Sequence, residues 1–265
     1  MDSNIKFYIE YNLTDKCNLN CKACAAFSPL VNENNSKSLL KIEKDFEKIY
    51  DLSFQGERIE RVTIMGGEPL LHHDINGAIT YISNLFKNSE ICIVTNGTLI
   101  LKKDDEFFYT LKKYISTVFI TRYPINIDYE KIYSLLKEKG INYKLYGPEN
   151  GKDKFYHQYL KNEYNEDYEN VECWYRSLLI LRDNKIFPCT EIAYFDYFDK
   201  AFKGQHDLKV REQDYIDLDN IHSLEELYEA KKIIPGFCGY CMGNNKSTTD
   251  WGISEKNINE WIKNN

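Results

Sequence analysis

The run Thr14-Asp15-Lys16-Cys17-Asn18-Leu19-Asn20-Cys21-Lys22-Ala23-Cys24 sets three cysteines in a C-x3-C-x2-C spacing, directly after an extended stretch, Phe7 to Leu13. Three soft thiolates on one short loop suit a single soft metal centre and leave it incompletely ligated. A structural tetrahedral site wants a fourth protein ligand close by, and none follows within the loop. The nearest candidates, His72 and His73, stand far downstream and read as solvated helix-entry sequence. Zinc completed by a remote ligand is the alternative on ligand chemistry alone.

Outward from this loop the chain repeats one unit, a strand followed by a helix. Phe7 to Leu13 alternates as a strand with Tyr8, Glu10 and Asn12 on one face; Leu39 to Phe54 is spaced as a helix; Arg61 to Met65 is a strand running into Gly66-Gly67-Glu68-Pro69. Asp74 to Phe86 is a helix, Glu90 to Thr95 a strand, Asp104 to Tyr114 a helix and Thr117 to Thr121 a strand. Tyr129 to Lys139 and Ile141 to Tyr146 complete the series. Such alternation implies parallel pairing with right-handed crossovers, so functional residues belong at the carboxyl ends of strands. The cysteine loop, Gly66-Gly67-Glu68-Pro69, Thr95-Asn96-Gly97 and Thr121-Arg122-Tyr123 all stand there.

Composition narrows the classes. The 265 residues allow one large α/β domain with an appendage, and 43% hydrophobic content with 14% aromatics, including 21 Tyr, can fill a core. A net charge of -7 with no basic stripe argues against nucleic acid. Met1 to Lys6 lacks an apolar signal core, and no run is long enough to span a membrane, so the expected location is cytoplasmic. Eight cysteines in a reducing compartment are better explained by metal ligation or catalysis than by disulfides.

The cysteine triplet, Gly66-Gly67-Glu68-Pro69 and Thr95-Asn96-Gly97, in that order and at strand ends, resemble a radical S-adenosylmethionine (radical SAM) enzyme over the first 146 residues. The resemblance implies a partial (β/α)6 TIM-like barrel. It also implies a [4Fe-4S] cluster on Cys17, Cys21 and Cys24 whose open iron binds S-adenosylmethionine. Reductive cleavage of the bound S-adenosylmethionine would give a 5'-deoxyadenosyl radical that abstracts a hydrogen atom from substrate, with a flavodoxin or ferredoxin type electron donor. Gly66 and Gly67 would let backbone approach the ligand, Glu68 would accept its ammonium group, and Pro69 would stiffen the turn. Thr95, Asn96 and Arg122 would be further cofactor contacts, Arg122 pairing with the S-adenosylmethionine carboxylate or with an anionic substrate. The family commonly has an aromatic residue before the third cysteine; Ala23 stands there, which leaves a backbone contact with Phe27 as the aromatic substitute.

The second half is of another character. Residues 147–172 are polar and tyrosine-rich, a linker or lid, and residues 173–265 carry Cys173, Cys189, Cys238 and Cys241. Leu178 to Leu181 and Lys185 to Phe187 flank Asp183-Asn184 as a β-hairpin, and Ser223 caps a helix to about Lys232 with Glu226 at the capping-box position. This part resembles the twitch domain, a shortened SPASM extension with C-terminal helices, in which four cysteines ligate an auxiliary [4Fe-4S] cluster; Asn184 replaces a glycine of the family pattern, and Asn tolerates the same left-handed turn. Zinc in the four cysteines is the alternative.

A fully ligated second cluster could relay an electron, so the resemblance extends to dehydrogenases acting on aminocyclitol alcohols, with epimerisation of a sugar carbon as the close relative. Glu191 is the candidate base, while Glu10 and Asn12 are candidate substrate contacts in the barrel lumen. Cys92 in Ile91-Cys92-Ile93-Val94 reads as an ordinary core cysteine. Two other classes stay open: a modifier of ribosomally made peptides, and a non-enzymatic iron-sulfur electron carrier. With sixteen residues before Cys17, a peptide-recognition domain is not expected there, which favours a small, sugar-like substrate.

Overall fold

The computed structural model describes residues 6–33, 35–146, 154–157, 159–170, 173, 179–243 and 247–263. Strands and helices alternate as β1 (Phe7–Asn12), α1 (Leu39–Leu52), β2 (Ile59–Met65), α2 (Ile75–Leu85), β3 (Glu90–Thr95), α3 (Asp105–Tyr114), β4 (Thr117–Thr121), α4 (Tyr129–Glu138) and β5 (Tyr143–Tyr146). Each helix starts on a side-chain cap. Ser38, Asp74, Asp104 and Asp128 accept the amides of Lys41, Gly77, Phe107 and Lys131, contacts worth about 1 kcal/mol apiece.

Alternation along β1 divides its two faces. Phe7, Ile9, Tyr11 and Leu13 are fully buried in the main core, with Ile42, Phe46 and Ile49 of α1 and Ala78, Ile79 and Ile82 of α2. Glu10 and Asn12 therefore turn to the opposite, lumen face. On that face register aligns Glu10 with Thr63, and Thr63 with Cys92.

β6 (Lys154–His157) comes next, then β7 (Leu179–Arg182), β8 (Lys185–Phe187), α5 (Thr190–Ala193), α6 (Phe195–Ala201), β9 (Ile216–Asp217), α7 (Leu224–Lys231) and β10 (Ser247–Asp250). The main sheet is open, with eight strands in the order β5-β4-β3-β2-β1-β7-β8-β9. It is parallel from β5 to β7 and antiparallel beyond, which is the partial-barrel architecture expected. The hairpin read in the cysteine-bearing tail lies on the free edge of β1, pairing Ile9 with Leu179 and Glu10 with Ile180. Its turn holds Asp183 and Asn184 at φ 53° and 58°, the left-handed pair that a two-residue hairpin needs. α7 starts at the expected Ser223 cap, but the Glu226 carboxylate takes the amide of His222.

The stretch read as a linker or lid contains β6, which pairs antiparallel with β10; residues 147–153, 158, 171 and 172 of it, and Leu178 of the hairpin reading, lie outside the described residues. A second core joins the exit of the cysteine loop, Phe27 and Leu30, to Phe195 and Phe198 of α6 and to Phe237 and Trp261. Beyond α7, among the described residues, the C-terminal part is built from short 3-10 turns and β10, where helices were expected. Among the described residues no helix is long and apolar enough to cross a membrane.

Candidate active site

The cysteine loop leaves β1 and folds back on itself through left-handed residues at Asn20, Ala23 and Phe27. Cys17, Cys21 and Cys24 are half-buried free thiols. Burial pushes Cys17 up to about 12 and Cys21 up to about 11, and each also feels the neighbouring thiols. Thiolates in such a place need positive charge, which an iron cluster supplies. Among the described residues no three His, Cys, Asp or Glu side chains could together hold one metal ion; the fit to a cluster rests on donor softness, number and shared burial.

The strand-exit turns brace this loop. Gly67 donates its amide to the Thr14 carbonyl at 2.8 Å and Glu68 donates its amide to Lys16 at 2.9 Å. A Cβ on Gly66 would run into the Thr14 carbonyl, and one on Gly67 into that of Lys16. The close approach that requires glycine is therefore to the cysteine loop itself. Pro69 is buried in the 3-10 turn that follows.

Glu68 is 1% exposed. Its carboxylate accepts the Thr95 hydroxyl at 2.6 Å, the Asn96 amide at 2.8 Å and the Leu70 amide at 3.1 Å, while burial pushes it up to about 7. That carboxylate ties the second and third strand exits together, taking two donors on Oε1 and one on Oε2. Asn96 carries the brace onward: its amide nitrogen donates to Asn18 at 2.9 Å and lies 3.9 Å from Cys17 Sγ, and its oxygen accepts from Thr98. Asn18 donates to the Thr98 hydroxyl at 2.7 Å.

Other expected residues divide. Phe27 is a correction: it is fully buried against Phe198 and Trp261, with centroids 5.3 and 5.9 Å away, so its ring belongs to the second core and does not face adenine. Ala23 is 3% exposed in its left-handed turn. Arg122 is half-buried, its guanidinium 5.7 Å from the Tyr129 ring centroid. Glu10 faces the lumen, and burial pushes its carboxyl up to about 7. Asn12 is buried beside it, its amide 3.4 Å from Asp15 Oδ1. His72 is a further correction: it is 3% exposed, bonded to the Lys37 carbonyl at 2.7 Å and accepting the Asp74 amide, where solvation was expected. Cys92 is 1% exposed, and register puts it on the lumen face with Glu10 and Thr63.

The second cysteine set lies within mutual electrostatic reach. Cys241 feels the charges of Cys238 and Cys173, and Cys189 those of Cys241 and Cys238. Burial pushes Cys241 up to about 12 and Cys189 well above its usual range. The Gly243 amide donates to Cys241 Sγ at 3.2 Å. Glu191, 5% exposed in the first turn of α5, neighbours Cys189 and Cys241, and among the described residues its Oε2 has no hydrogen-bond partner.

Some participants gave no signal in the sequence. Asp15 accepts the Tyr197 hydroxyl at 2.7 Å and the Asn35 amide at 2.8 Å, joining the cysteine loop to α6. Trp251 and Trp261 reach the same loop, donating to Cys21 Sγ and to the Cys24 carbonyl. Of these participants and Asn18, only Asp15 and Asn18, both within the cysteine run, stand near enough to a motif to have been noticed.

Residues 11–129 match the family model of the Radical SAM superfamily. That matched segment carries the cysteine loop and the strand exits that brace it, and it is similar to a family that implies S-adenosylmethionine and a [4Fe-4S] cluster. It is 30% identical over 132 residues to a GTP 3',8-cyclase of Syntrophomonas wolfei, which covers 50% of the chain and 36% of that protein. A GTP 3',8-cyclase of Alkaliphilus metalliredigens is 34% identical over 95 residues, 36% of the chain and 29% of that protein. The chain thus spans about a third of the length of these curated relatives. Among solved structures, BtrN in complex with AdoMet and 2-DOIA aligns over 93% of this chain and 96% of its own, with TM-score 0.59 and 16% identity, a likeness of fold.

Proposed function

We propose that this chain is a two-cluster radical SAM oxidoreductase that dehydrogenates a small hydroxylated, sugar-like molecule. What supports the reading is that Cys241 lies within electrostatic reach of Cys238 and Cys173, and Cys189 within reach of Cys241 and Cys238, four thiols that could together ligate a second [4Fe-4S] cluster without an open iron. When bound at Cys17, Cys21 and Cys24, a cluster with S-adenosylmethionine would supply hydrogen-abstracting radical chemistry, and a second cluster on Cys173, Cys189, Cys238 and Cys241 would supply an acceptor for one electron. Cys17, Cys21 and Cys24 would hold the first cluster, braced by Asn96 and by the Gly66-Gly67 turn. Ala23, Gly66, Gly67, Glu68, Pro69, Thr95, Asn96 and Arg122 remain the proposed cofactor contacts.

Glu10 and Asn12 would hold substrate hydroxyl or amino groups in the lumen, and Glu191, beside the second cysteine set, would receive the proton. The likeness of fold to BtrN, whose complex contains 2-DOIA, supports a small substrate because it runs the length of both chains. The electron donor would be of flavodoxin or ferredoxin type.

The test is anaerobic. Cluster-loaded protein is given reductant, S-adenosylmethionine and carbon-deuterated aminocyclitols or sugars. Expected are deuterium in 5'-deoxyadenosine and a product that has lost one deuterium and one hydrogen. No 5'-deoxyadenosine from cluster-loaded protein would refute the enzyme reading; deuterium transfer with a product that carries one hydrogen in place of the lost deuterium would favour epimerisation over dehydrogenation.

A further inference from the structure

The chain beyond the second cysteine set runs back onto the first. Lys22 donates its amide to the Gly252 carbonyl at 2.7 Å, Ser254 donates its amide to Asn20 at 2.8 Å, and Cys21 and Ile253 form an antiparallel bridge. Residues 252–254 are thus a strap paired along the backbone that carries Cys21. The strap fixes Trp251, whose ring lies 6.2 Å from that of Tyr123 and whose Nε1 lies 3.2 Å from Cys21 Sγ.

An indole N–H can only donate, and a buried one needs a partner. The two tryptophans on this loop choose differently. Trp261 donates to the backbone carbonyl of Cys24 at 2.9 Å, which orders the loop, whereas Trp251 donates to a sulfur that would bind iron. Hydrogen bonds to ligand sulfurs draw electron density from the metal and are one of the levers that set cluster potentials.

We propose that Trp251 is a tuning residue for the cluster held by Cys17, Cys21 and Cys24: its N–H on Cys21 Sγ raises the potential at which that cluster accepts its electron. The inference rests on the reading of this triplet as cluster ligands. Trp251 acts through Cys21, so it is a positioning residue whose effect is electronic.

Trp251→Phe keeps a ring against Tyr123 and removes the donor. Wild type and variant, full length and anaerobically reconstituted, are titrated with dithionite under electron paramagnetic resonance detection. The signal followed is the one that changes on addition of S-adenosylmethionine, and iron is quantified in both. Expected is equal iron with a one-electron reduction constant about tenfold smaller in the variant, a midpoint lower by about 59 mV. Equal midpoints with equal iron overturn the proposal and leave the cluster assignment standing; wild type that binds no iron through Cys17, Cys21 and Cys24 overturns the assignment itself. Should Trp251→Phe lose its cluster, the isosteric 3-benzothienylalanine at position 251, with sulfur in place of N–H, is titrated in the same way. An unchanged midpoint there overturns the proposal.

Discussion

Replacing Glu68 by Gln should change how stability depends on pH by a calculable amount. The Glu68 carboxyl is 1% exposed, and burial raises it from 4.5 to about 7 despite three donors. Below pH 4.5 folded and unfolded chains both hold the proton. Between 4.5 and about 7 the folded chain keeps a proton that the unfolded chain has released, so stability falls as pH rises. At about 1.36 kcal/mol per pH unit this amounts to about 3 kcal/mol, fully lost above neutrality. Gln does not titrate, but its amide must confront one of the donors, most directly the Asn96 amide, at a cost of about 1–3 kcal/mol at every pH. Wild type should therefore be the more stable at pH 5, and the two curves should converge or cross by pH 8. Urea unfolding of the metal-free chain, followed by far-ultraviolet circular dichroism from pH 5 to 8, measures the difference, in which all other titrating groups cancel. Parallel curves would refute the reasoning, because they would mean that the three donors hold the charge at no net cost.

Other perturbations probe the same scaffold. Gly67→Ala drives a Cβ into the Lys16 carbonyl, so the cysteine loop must shift; loss of iron from the first site and destabilisation by about 1–3 kcal/mol are expected, and full iron with an unchanged melting temperature would count against the packing argument. Asn184→Val puts a β-branched residue at φ 58° and removes a hydrogen bond to Asp219, which should lower stability by about 1–2 kcal/mol in a urea melt, while Asn184→Gly should cost less. Tyr197→Phe leaves Asp15 one donor short and should lower stability by about 1–3 kcal/mol; a neutral result would show that Asn35 and Asn12 satisfy the carboxylate without it.

Much of the barrel was legible because periodicity is local. The boundaries of β3 and β4 fall where alternation put them, and Asp74, Asp104 and Asp128 cap helices because a side chain reaching three residues ahead needs nothing from the rest of the fold. The cysteine triplet was legible for the same reason: its chemistry lies within one loop. Glu68 was legible as important, but its bonds to Thr95 and Asn96 were not, since no pattern along the chain says which turn a carboxylate after two glycines will meet. Phe27 was misread because aromatic character alone does not say which of two cores a ring enters.

By itself the sequence determined the repeating strand and helix units, the placement of motifs at strand ends, the Asp183-Asn184 turn and the identity of the thiols. Tertiary structure alone decided that this hairpin extends the sheet from the free edge of β1, that the glycines serve the cysteine loop, and that Tyr197, Trp251 and Trp261 reach that loop from far along the chain. The physical reason is that short-range preferences and spacings are written in consecutive residues. A hydrogen bond between Trp251 and Cys21 depends on where the whole fold brings two distant segments together.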